Sequence, residues 1–274
     1  MARLRSDGCE IHYEVTGSGS PVLLVHGLGS CVKDWELQVP PLAERHTVVT
    51  VDLRGHGESE KPAGPYRMQM FSSDIVHLLE TLRLGPAHVV GISLGGMVAF
   101  QLAVDAPSLV KSLVIINSGP SVVPRSIGQW LALRARFWAL RLVGIRRLGE
   151  KIAAVNFPDP GQEALRKALA ERIASNDVAA YRATMQAIVG WSVEERIASI
   201  ACPVLVVAAD HDYTPVSLKE AYVAKMPHAR LAVVERSRHV TTADQPAALN
   251  RLLLEFLEDA PKPRMSQAAG ASVV

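Results

Sequence analysis

The sequence contains few cysteines and almost no net charge. Its three cysteines, Cys9, Cys31 and Cys202, are an odd number without a CxxC pair, so we expect neither a disulfide framework nor a thiolate zinc site. The formal net charge is only +2 over 274 residues, which argues against a nucleic-acid partner. No apolar leader follows the basic residues at the start, and together with reduced thiols this predicts a cytoplasmic protein.

Long apolar runs and cofactor motifs are also missing. No window approaches the roughly 18 uninterrupted apolar residues that a membrane span requires. The sequence has no HExxH motif, no zinc-ligand spacing and no GxxxxGK motif. The GSGS stretch at 17–20 lies between two predicted strands rather than before a helix. The sequence therefore predicts no metal and no cofactor.

Short apolar runs do recur, and longer segments with helical spacing follow them. The runs are 22–26, 47–52, 87–92, 112–117, 204–208 and 231–235. Continuous apolar runs are typical of strands covered on both faces, so we predict an α/β fold with a mostly parallel central sheet flanked by helices. We expect residues 10–15 to form an antiparallel hairpin with the next strand. Helices are predicted at about 34–44, 72–84, 94–105, 217–226 and 246–258.

One interval breaks this alternation. More than eighty residues of helical character separate the run ending near Asn117 from the run beginning at Val204. We therefore predict an inserted helical cap over 120–195, with the α/β core formed by 1–119 and 196–259. Residues 260–274, with two prolines and then small residues, are predicted to be a disordered tail.

A serine stands between glycines where a predicted strand gives way to a helix. The stretch VVGISLGGMV at 89–98 places Ser93 between Gly91 and Gly95. A sharp strand-to-helix turn strains the backbone of such a serine, and its neighbours two residues away must be small. The turn exposes the hydroxyl and directs the first helix amides towards the same point. Ser93 is the predicted nucleophile, and a purely structural turn is the alternative.

A serine nucleophile needs a base to take its proton and a third group to hold that base. Two downstream stretches, 208–215 and 236–246, directly follow predicted strands. His239 in the second stretch is the predicted base, while the other histidines fall where packed or solvated roles are expected. In the first stretch Asp210 and Asp212 are two residues apart, and only one can face the base. We favour Asp212 as the acid and expect Asp210 to stabilise its loop.

Several motifs together resemble the α/β-hydrolase fold superfamily over about residues 10–258. They are HGLG at 26–29, DLRGHGES at 52–59, GISLGG at 91–96, DHDYTP at 210–215 and the late His239. The resemblance implies that Ser93 is the nucleophile, Asp212 the acid and His239 the base. It also implies that the backbone N–H groups of Leu28 and Leu94 form the oxyanion hole.

The chain departs from the superfamily's pattern at two positions. Ala209 stands three residues before the acid, where the family often has glycine, and Arg238 stands directly before the base histidine, where glycine is also frequent. Either change would shift a loop without removing a reacting group. His26 and the 52–59 loop are expected to be structural, with Asp52 and Arg54 holding the turn.

The resemblance implies a serine carboxylesterase acting on small to medium apolar substrates. An enol-lactonase is the main alternative, because residues 64–84 and the SLGGMVA stretch also resemble that group. A C–C hydrolase is less favoured, since Val240 follows His239 where those enzymes usually have tryptophan. A perhydrolase or a slow-turnover ligand-binding signalling protein is a further alternative. The expected partner is a small-molecule ester or lactone.

The segment 126–148 combines aromatic and cationic residues. Trp130, Phe137 and Trp138 lie among five arginines. The pattern is typical of a cap helix whose aromatic face covers the site and whose arginines are solvated. It is also typical of a helix that docks on anionic lipid. The cap helix is favoured, and membrane contact is the second interpretation.

Overall fold

The computed structural model describes residues 2–259, so the predicted tail at 260–274 lies outside the described residues. Within residues 2–259, eight strands form one sheet in the order β1-β2-β4-β3-β5-β6-β7-β8. The strands are β1 (Ala2–Ser6), β2 (Cys9–Thr16), β3 (Ser20–Val25), β4 (His46–Val51), β5 (Ala87–Ile92), β6 (Val110–Ile116), β7 (Val204–Ala209) and β8 (Ala229–Val234). β2 pairs antiparallel with β1 and β4, and the other pairs are parallel. The predicted mostly parallel α/β fold is confirmed.

Helices cover both faces of the sheet. The helices of residues 2–259 are α1 (Val39–Ala43), α2 (Met68–Leu82), α3 (Leu94–Asp105), α4 (Ile127–Asn156), α5 (Glu163–Ala174), α6 (Val178–Ile188), α7 (Val216–Val223), α8 (Thr241–Asp244) and α9 (Pro246–Asp259). The helix predicted at 34–44 is shorter than expected. A 3₁₀ turn over Val32–Trp35 precedes α1, which begins beside two consecutive prolines, and proline suits only the first turn of a helix.

The continuous apolar runs are strands buried on both faces. All residues of β5 and β7 are buried. On one face β5 packs with α2 and α3, whose Phe71 and Phe100 are fully buried. On the other face Leu42 of α1 and Leu253 of α9 cover the sheet. Burial on both faces removes the polar alternation of a half-exposed strand, which is why these runs were recognisable in the sequence.

The prediction that residues 10–15 form an antiparallel hairpin with the next strand, β3, is wrong. β2 pairs with β4, with Tyr13 opposite Val51, and β3 pairs instead with β4 and β5. The turn between β2 and β3 contains Gly17 and Gly19, both with positive φ. A Cβ on Gly17 would lie 2.4 Å from the carbonyl oxygen of Ala43. The glycines therefore let the chain pass close to the α1–β4 connection, and β4 enters between β2 and β3.

Helices α4, α5 and α6 occupy the interval between β6 and β7, and they share an apolar cluster that includes Leu140, Phe157 and Ile173. Gly144 interrupts α4 with non-helical φ 76° and ψ 164°. Backbone hydrogen bonds join the ends of the interval, since the Val122 N–H donates to the Trp191 carbonyl and the Gly190 N–H donates to the Val122 carbonyl. The cap boundaries at 120 and 195 stay a prediction.

The first half of α4 does not bury its tryptophans. Trp130 is 47% exposed and Trp138 is 52% exposed, whereas Phe137 packs partly against the cluster of the inserted helices. Arg134 lies over the Trp130 ring and Arg141 over the Trp138 ring. The expectation that the aromatic face covers the site is therefore wrong for both tryptophans. In the described part of the chain, no helix is long and apolar enough to cross a membrane.

Candidate active site

Ser93 lies at the turn between β5 and α3 with a strained backbone. Its φ is 53° and its ψ is −116°, a conformation that costs a non-glycine residue about 1–3 kcal/mol. The turn is held from β6, because the Ser93 N–H donates to the Ile116 carbonyl at 2.9 Å. The Ser118 hydroxyl also donates to the Ser93 carbonyl at 2.7 Å. Strain held in this way is expected where a side chain must be presented in one direction.

The glycines around Ser93 leave no room for a side chain. A Cβ on Gly91 would lie 2.2 Å from the Gly95 carbonyl oxygen, and a Cβ on Gly95 would lie 2.0 Å from the Val25 carbonyl oxygen. A Cβ on Gly96 would meet the Ser118 side chain at 2.6 Å. The predicted need for small residues beside the serine therefore has a direct steric cause, which is the close approach of α3 to β3 and β5.

Asp212 and His239 meet at the ends of β7 and β8. The His239 Nδ1 lies 2.5 Å from the Asp212 Oδ1. The Asp212 side chain is 1% exposed and that of His239 is 19% exposed. The Tyr213 ring lies against the His239 ring with centroids 4.4 Å apart. A proton on Nδ1 would leave Nε2 free to accept another, which is the arrangement a general base needs.

Asp210 has a different place. Its carboxylate accepts hydrogen bonds from the backbone N–H groups of Arg236 and Ser237 at 2.8 and 2.9 Å. It therefore stabilises the loop that leads to His239, as expected for a carboxylate that ties down backbone amides. Of the two aspartates, the one in contact with the His239 ring is Asp212.

A buried lysine that the sequence analysis missed also holds Asp212. The Lys219 Nζ on α7 lies 2.5 Å from the Asp212 Oδ2, and both side chains are 1% exposed. Burial by itself would raise the Asp212 pKa, but the hydrogen bonds and charges of His239 and Lys219 hold that pKa well below its usual range. The available signal was the helical spacing of Lys219 and Tyr222, which share the inner face of α7.

Asn117 is a second residue that the sequence analysis missed. It follows β6 with a positive φ of 46°, which asparagine tolerates better than most residues. Its side-chain Nδ2 donates to the His239 carbonyl at 2.9 Å, and its Oδ1 accepts from the Ala209 N–H at 2.8 Å. Asn117 therefore ties the end of β7 to the loop that carries His239. The signal was a polar residue directly after a buried strand.

The HGLG loop lies beside Ser93. A Cβ on Gly27 would be 3.6 Å from the Ser93 Cβ. The His26 ring accepts from the Leu53 N–H at 3.0 Å and bonds the Gly27 carbonyl at 2.7 Å, so it supports the loop. Leu94 begins α3, and the first amides of a helix have no partner within it. The assignment of the Leu28 and Leu94 amides to an oxyanion hole stays a prediction.

The 52–59 loop is held by buried charged groups, as predicted. The Asp52 carboxylate accepts from the backbone N–H groups of Val32 and Glu58 at 2.7 and 2.8 Å. Arg54 makes two hydrogen bonds of 2.6 Å to Asp74 on α2. A fork-to-fork pair of this kind fixes orientation as well as distance. Because Asp52 holds Val32, three residues after Gly29, the 52–59 loop also fixes the chain that leaves the HGLG loop.

Helix α5 is tied to the HGLG loop. Arg172 pairs with Asp34 at 2.7 Å, and Asn176 donates to the Gly29 carbonyl at 2.8 Å. A cavity opens next to this contact, and its apolar lining is Leu37, Phe157, Leu165, Ala168, Leu169, Val240 and Ala243. Leu28 of the HGLG loop and Val240, the residue after His239, both pack against the apolar cluster of the inserted helices. Among residues 2–259, no group of three His, Cys, Asp or Glu side chains is placed to hold a metal ion.

The chain is similar to known hydrolases over most of its length. A family model described as the alpha/beta hydrolase fold matches residues 20–246. The putative carbamate hydrolase RutD of Azorhizobium caulinodans is 28% identical over 270 residues, which cover 90% of this chain and 94% of that protein. The 3-oxoadipate enol-lactonase 2 of Acinetobacter baylyi is 27% identical over 254 residues, with 90% and 92% covered. The crystal structure of the enol-lactonase from Burkholderia xenovorans LB400 shares the fold, with a TM-score of 0.86 at 22% identity over 94% of this chain and 100% of that chain.

Proposed function

This chain belongs to the α/β-hydrolase fold family, and we propose that it is a serine hydrolase that cleaves carboxylic esters through an acyl-enzyme. The observation that carries the proposal is the 2.5 Å contact between Asp212 and His239 at the sheet edge where Ser93 is presented. A base held by a buried carboxylate, at the same sheet edge as a serine on a strained turn, supports acyl transfer.

In the first half-reaction His239 takes the Ser93 proton through Nε2 as the Ser93 Oγ attacks the ester carbonyl carbon. The Asp212 carboxylate holds Nδ1–H and stabilises the imidazolium that forms. The backbone N–H groups of Leu28 and Leu94 stabilise the oxyanion, and one such donor contributes on the order of 3 kcal/mol. Collapse of the tetrahedral intermediate breaks the ester C–O bond, and the imidazolium protonates the leaving alcohol.

In the second half-reaction water repeats these steps on the acyl-enzyme. His239 takes a proton from the water as its oxygen attacks the acyl carbon. The same amides stabilise the second oxyanion, and the proton returns to Ser93 Oγ as the carboxylic acid leaves. No cofactor takes part in either half.

Enol-lactone hydrolysis is the second candidate. An enol-lactone is a cyclic enol ester, so the same residues would open it, and the enol released by C–O cleavage would stay attached to the acyl group. The support is the similarity to 3-oxoadipate enol-lactonase 2 over 90% of this chain. RutD, named as a putative carbamate hydrolase, extends the series of acyl substrates found among the relatives.

We further propose that residues 120–195 form the cap and select the acyl group. The apolar cluster of the inserted helices, which includes Phe157 and Leu169, packs against Leu28 and Val240, and this supports selection of small to medium apolar substrates. A cytoplasmic location is part of the same proposal, supported by the three free cysteines.

The test compares Ser93→Ala with the wild-type chain on short p-nitrophenyl esters and on a panel of lactones. We expect Ser93→Ala to lower kcat/KM by at least about 10⁴-fold without changing the circular dichroism spectrum. Ser199→Ala, at an exposed serine, is the matched control and should keep full activity. A serine-directed fluorophosphonate should label the wild-type chain once, at Ser93. Activity above a few per cent in Ser93→Ala would overturn the proposal.

A further inference from the structure

Lys219 is a fully buried cation in contact with the carboxylate that holds His239. Its ammonium donates to the Asp212 Oδ2 at 2.5 Å, to the Thr214 Oγ1 at 2.6 Å and to the Thr214 carbonyl at 2.8 Å. The Thr214 hydroxyl in turn donates to the same Asp212 oxygen at 2.9 Å. All three ammonium hydrogens therefore have acceptors. A lysine is almost never fully buried unless it is paired in this way.

The two oxygens of Asp212 are divided between two partners. Oδ1 faces His239, and Oδ2 accepts from Lys219 and Thr214. A carboxylate held at Oδ2 cannot rotate without breaking the lysine contact. The His239 ring is therefore oriented by a group whose own orientation is set from α7.

The charge balance gives this contact a second consequence. With the His239 ring neutral, the buried positive charge of Lys219 balances the negative charge of Asp212. Protonation of the ring leaves one uncompensated positive charge in a buried cluster, which is costly. Without the lysine charge the balance reverses, because the protonated ring would then neutralise Asp212.

We propose that Lys219 is a positioning residue for His239 that also keeps the ring unprotonated, and so able to act as a base, at more acidic pH. The inference rests on the proposed function, because it concerns the base of that site. It goes beyond that function by adding a fourth group to the Ser93, His239 and Asp212 set.

Other polar and charged groups lie around this cluster. Tyr213 contacts the His239 ring, and the Tyr222 hydroxyl donates to the Ser118 carbonyl at 2.9 Å. Asp244 of α8 accepts from the Arg238 N–H at 2.7 Å.

The remaining charges lie on neighbouring loops. Asp210 and His211 lie before Asp212, 3.9 Å apart. Asp34 and Arg172 are paired at the cavity beside Val240, which Lys33 and Glu36 also line. These groups are common to the wild-type chain and the Lys219 variants, so the comparison changes the charge at residue 219 alone.

The test is the pH profile of kcat/KM for a p-nitrophenyl ester in Lys219→Gln and Lys219→Met. Glutamine removes the charge and retains a donor for Asp212, whereas methionine removes both. We expect the midpoint of the acid limb to rise by on the order of one pH unit in both variants. One unit below the wild-type midpoint, kcat/KM relative to its plateau should then fall nearly tenfold. The plateau of kcat/KM should fall further in Lys219→Met than in Lys219→Gln, because methionine leaves Asp212 without the donor that orients it.

Lys225→Gln is the matched control. Lys225 follows α7, pairs with Glu194 at 2.7 Å and is 51% exposed, so the same change of charge there should leave the acid limb where it is. If Lys219 had only a structural role, its variants would have lower thermal stability and a lower plateau of kcat/KM, while the midpoint of the acid limb would stay unchanged. That result would overturn the inference.

The protonation of His239 is also measured without turnover, by NMR titration of its ring in the Ser93→Ala chain with and without Lys219→Gln. A rise in the protonation midpoint supports the inference whatever the substrate is. Loss of activity in Ser93→Ala with no shift in either Lys219 experiment would overturn this inference alone. Activity retained in Ser93→Ala would overturn the proposed function instead.

Discussion

Replacement of Asn117 should weaken the fold and the site together. This buried side chain connects the ends of β6, β7 and β8 through hydrogen bonds to the Ala209 N–H, the His239 carbonyl and the Thr241 hydroxyl. Asn117→Ala leaves the buried Ala209 N–H without its acceptor, at a cost of about 1–3 kcal/mol. It also places alanine at φ 46°, which costs about 1–2 kcal/mol. We expect the free energy of unfolding to fall by about 3 kcal/mol.

Asn117→Gly separates the two contributions. Glycine accepts the positive φ without strain but removes the same hydrogen bonds, so it should recover only about 1 kcal/mol of the loss. The kcat/KM for an ester should fall by at least about tenfold in both variants, because His239 loses an anchor and small displacements of a base are costly.

The measurements are urea unfolding at neutral pH and ester kinetics at urea concentrations below the unfolding transition. Asn250→Ala is the control, since Asn250 on α9 makes a single hydrogen bond to the Leu37 carbonyl and should cost only about 1 kcal/mol. The reasoning is refuted if Asn117→Ala unfolds within about 0.5 kcal/mol of the wild-type chain, or if Asn117→Gly has full stability and activity.

Two further predictions concern acid stability and the surface of α4. Burial is the main reason that the pKa values of His56 and His88 fall from 6.5 to about 3. Between pH 6.5 and about 3 the unfolded chain binds more protons than the folded chain does. The free energy of unfolding should therefore decrease by up to about 1.4 kcal/mol per pH unit for each histidine as the pH falls below 6.5. Urea unfolding at pH 7, 6 and 5 should show a smaller slope for His88→Gln, and an unchanged slope would contradict this assignment. Four apolar side chains of α4 are exposed, namely Ile127, Trp130, Trp138 and Leu142. Their exposure supports the interpretation that α4 docks on anionic lipid. That interpretation predicts co-sedimentation with anionic vesicles, which should be lost on adding salt and in the double variant Trp130→Ala, Trp138→Ala. Equal binding to neutral vesicles, or none, would contradict it.

The sequence by itself determined the features that depend on local geometry or on burial of whole segments. Gly91 and Gly95 beside Ser93 reflect a turn in which a Cβ has no space. The runs at 87–92 and 204–208 were recognisable because strands covered on both faces contain no polar alternation. The position of His239 after the last strand followed from the chain order of the family's motifs.

Only the tertiary structure decided which segments meet. It paired β2 with β4 instead of β3, because the choice of a strand's neighbour depends on the path of distant segments. It placed Asp212 against His239 and Asp210 against backbone amides, although both stand on one short loop. It also buried Lys219 while leaving Leu218 55% exposed. Local hydrophobicity predicts the reverse, and the lysine is stabilised inside only because Asp212 and Thr214 supply the charge and the acceptors.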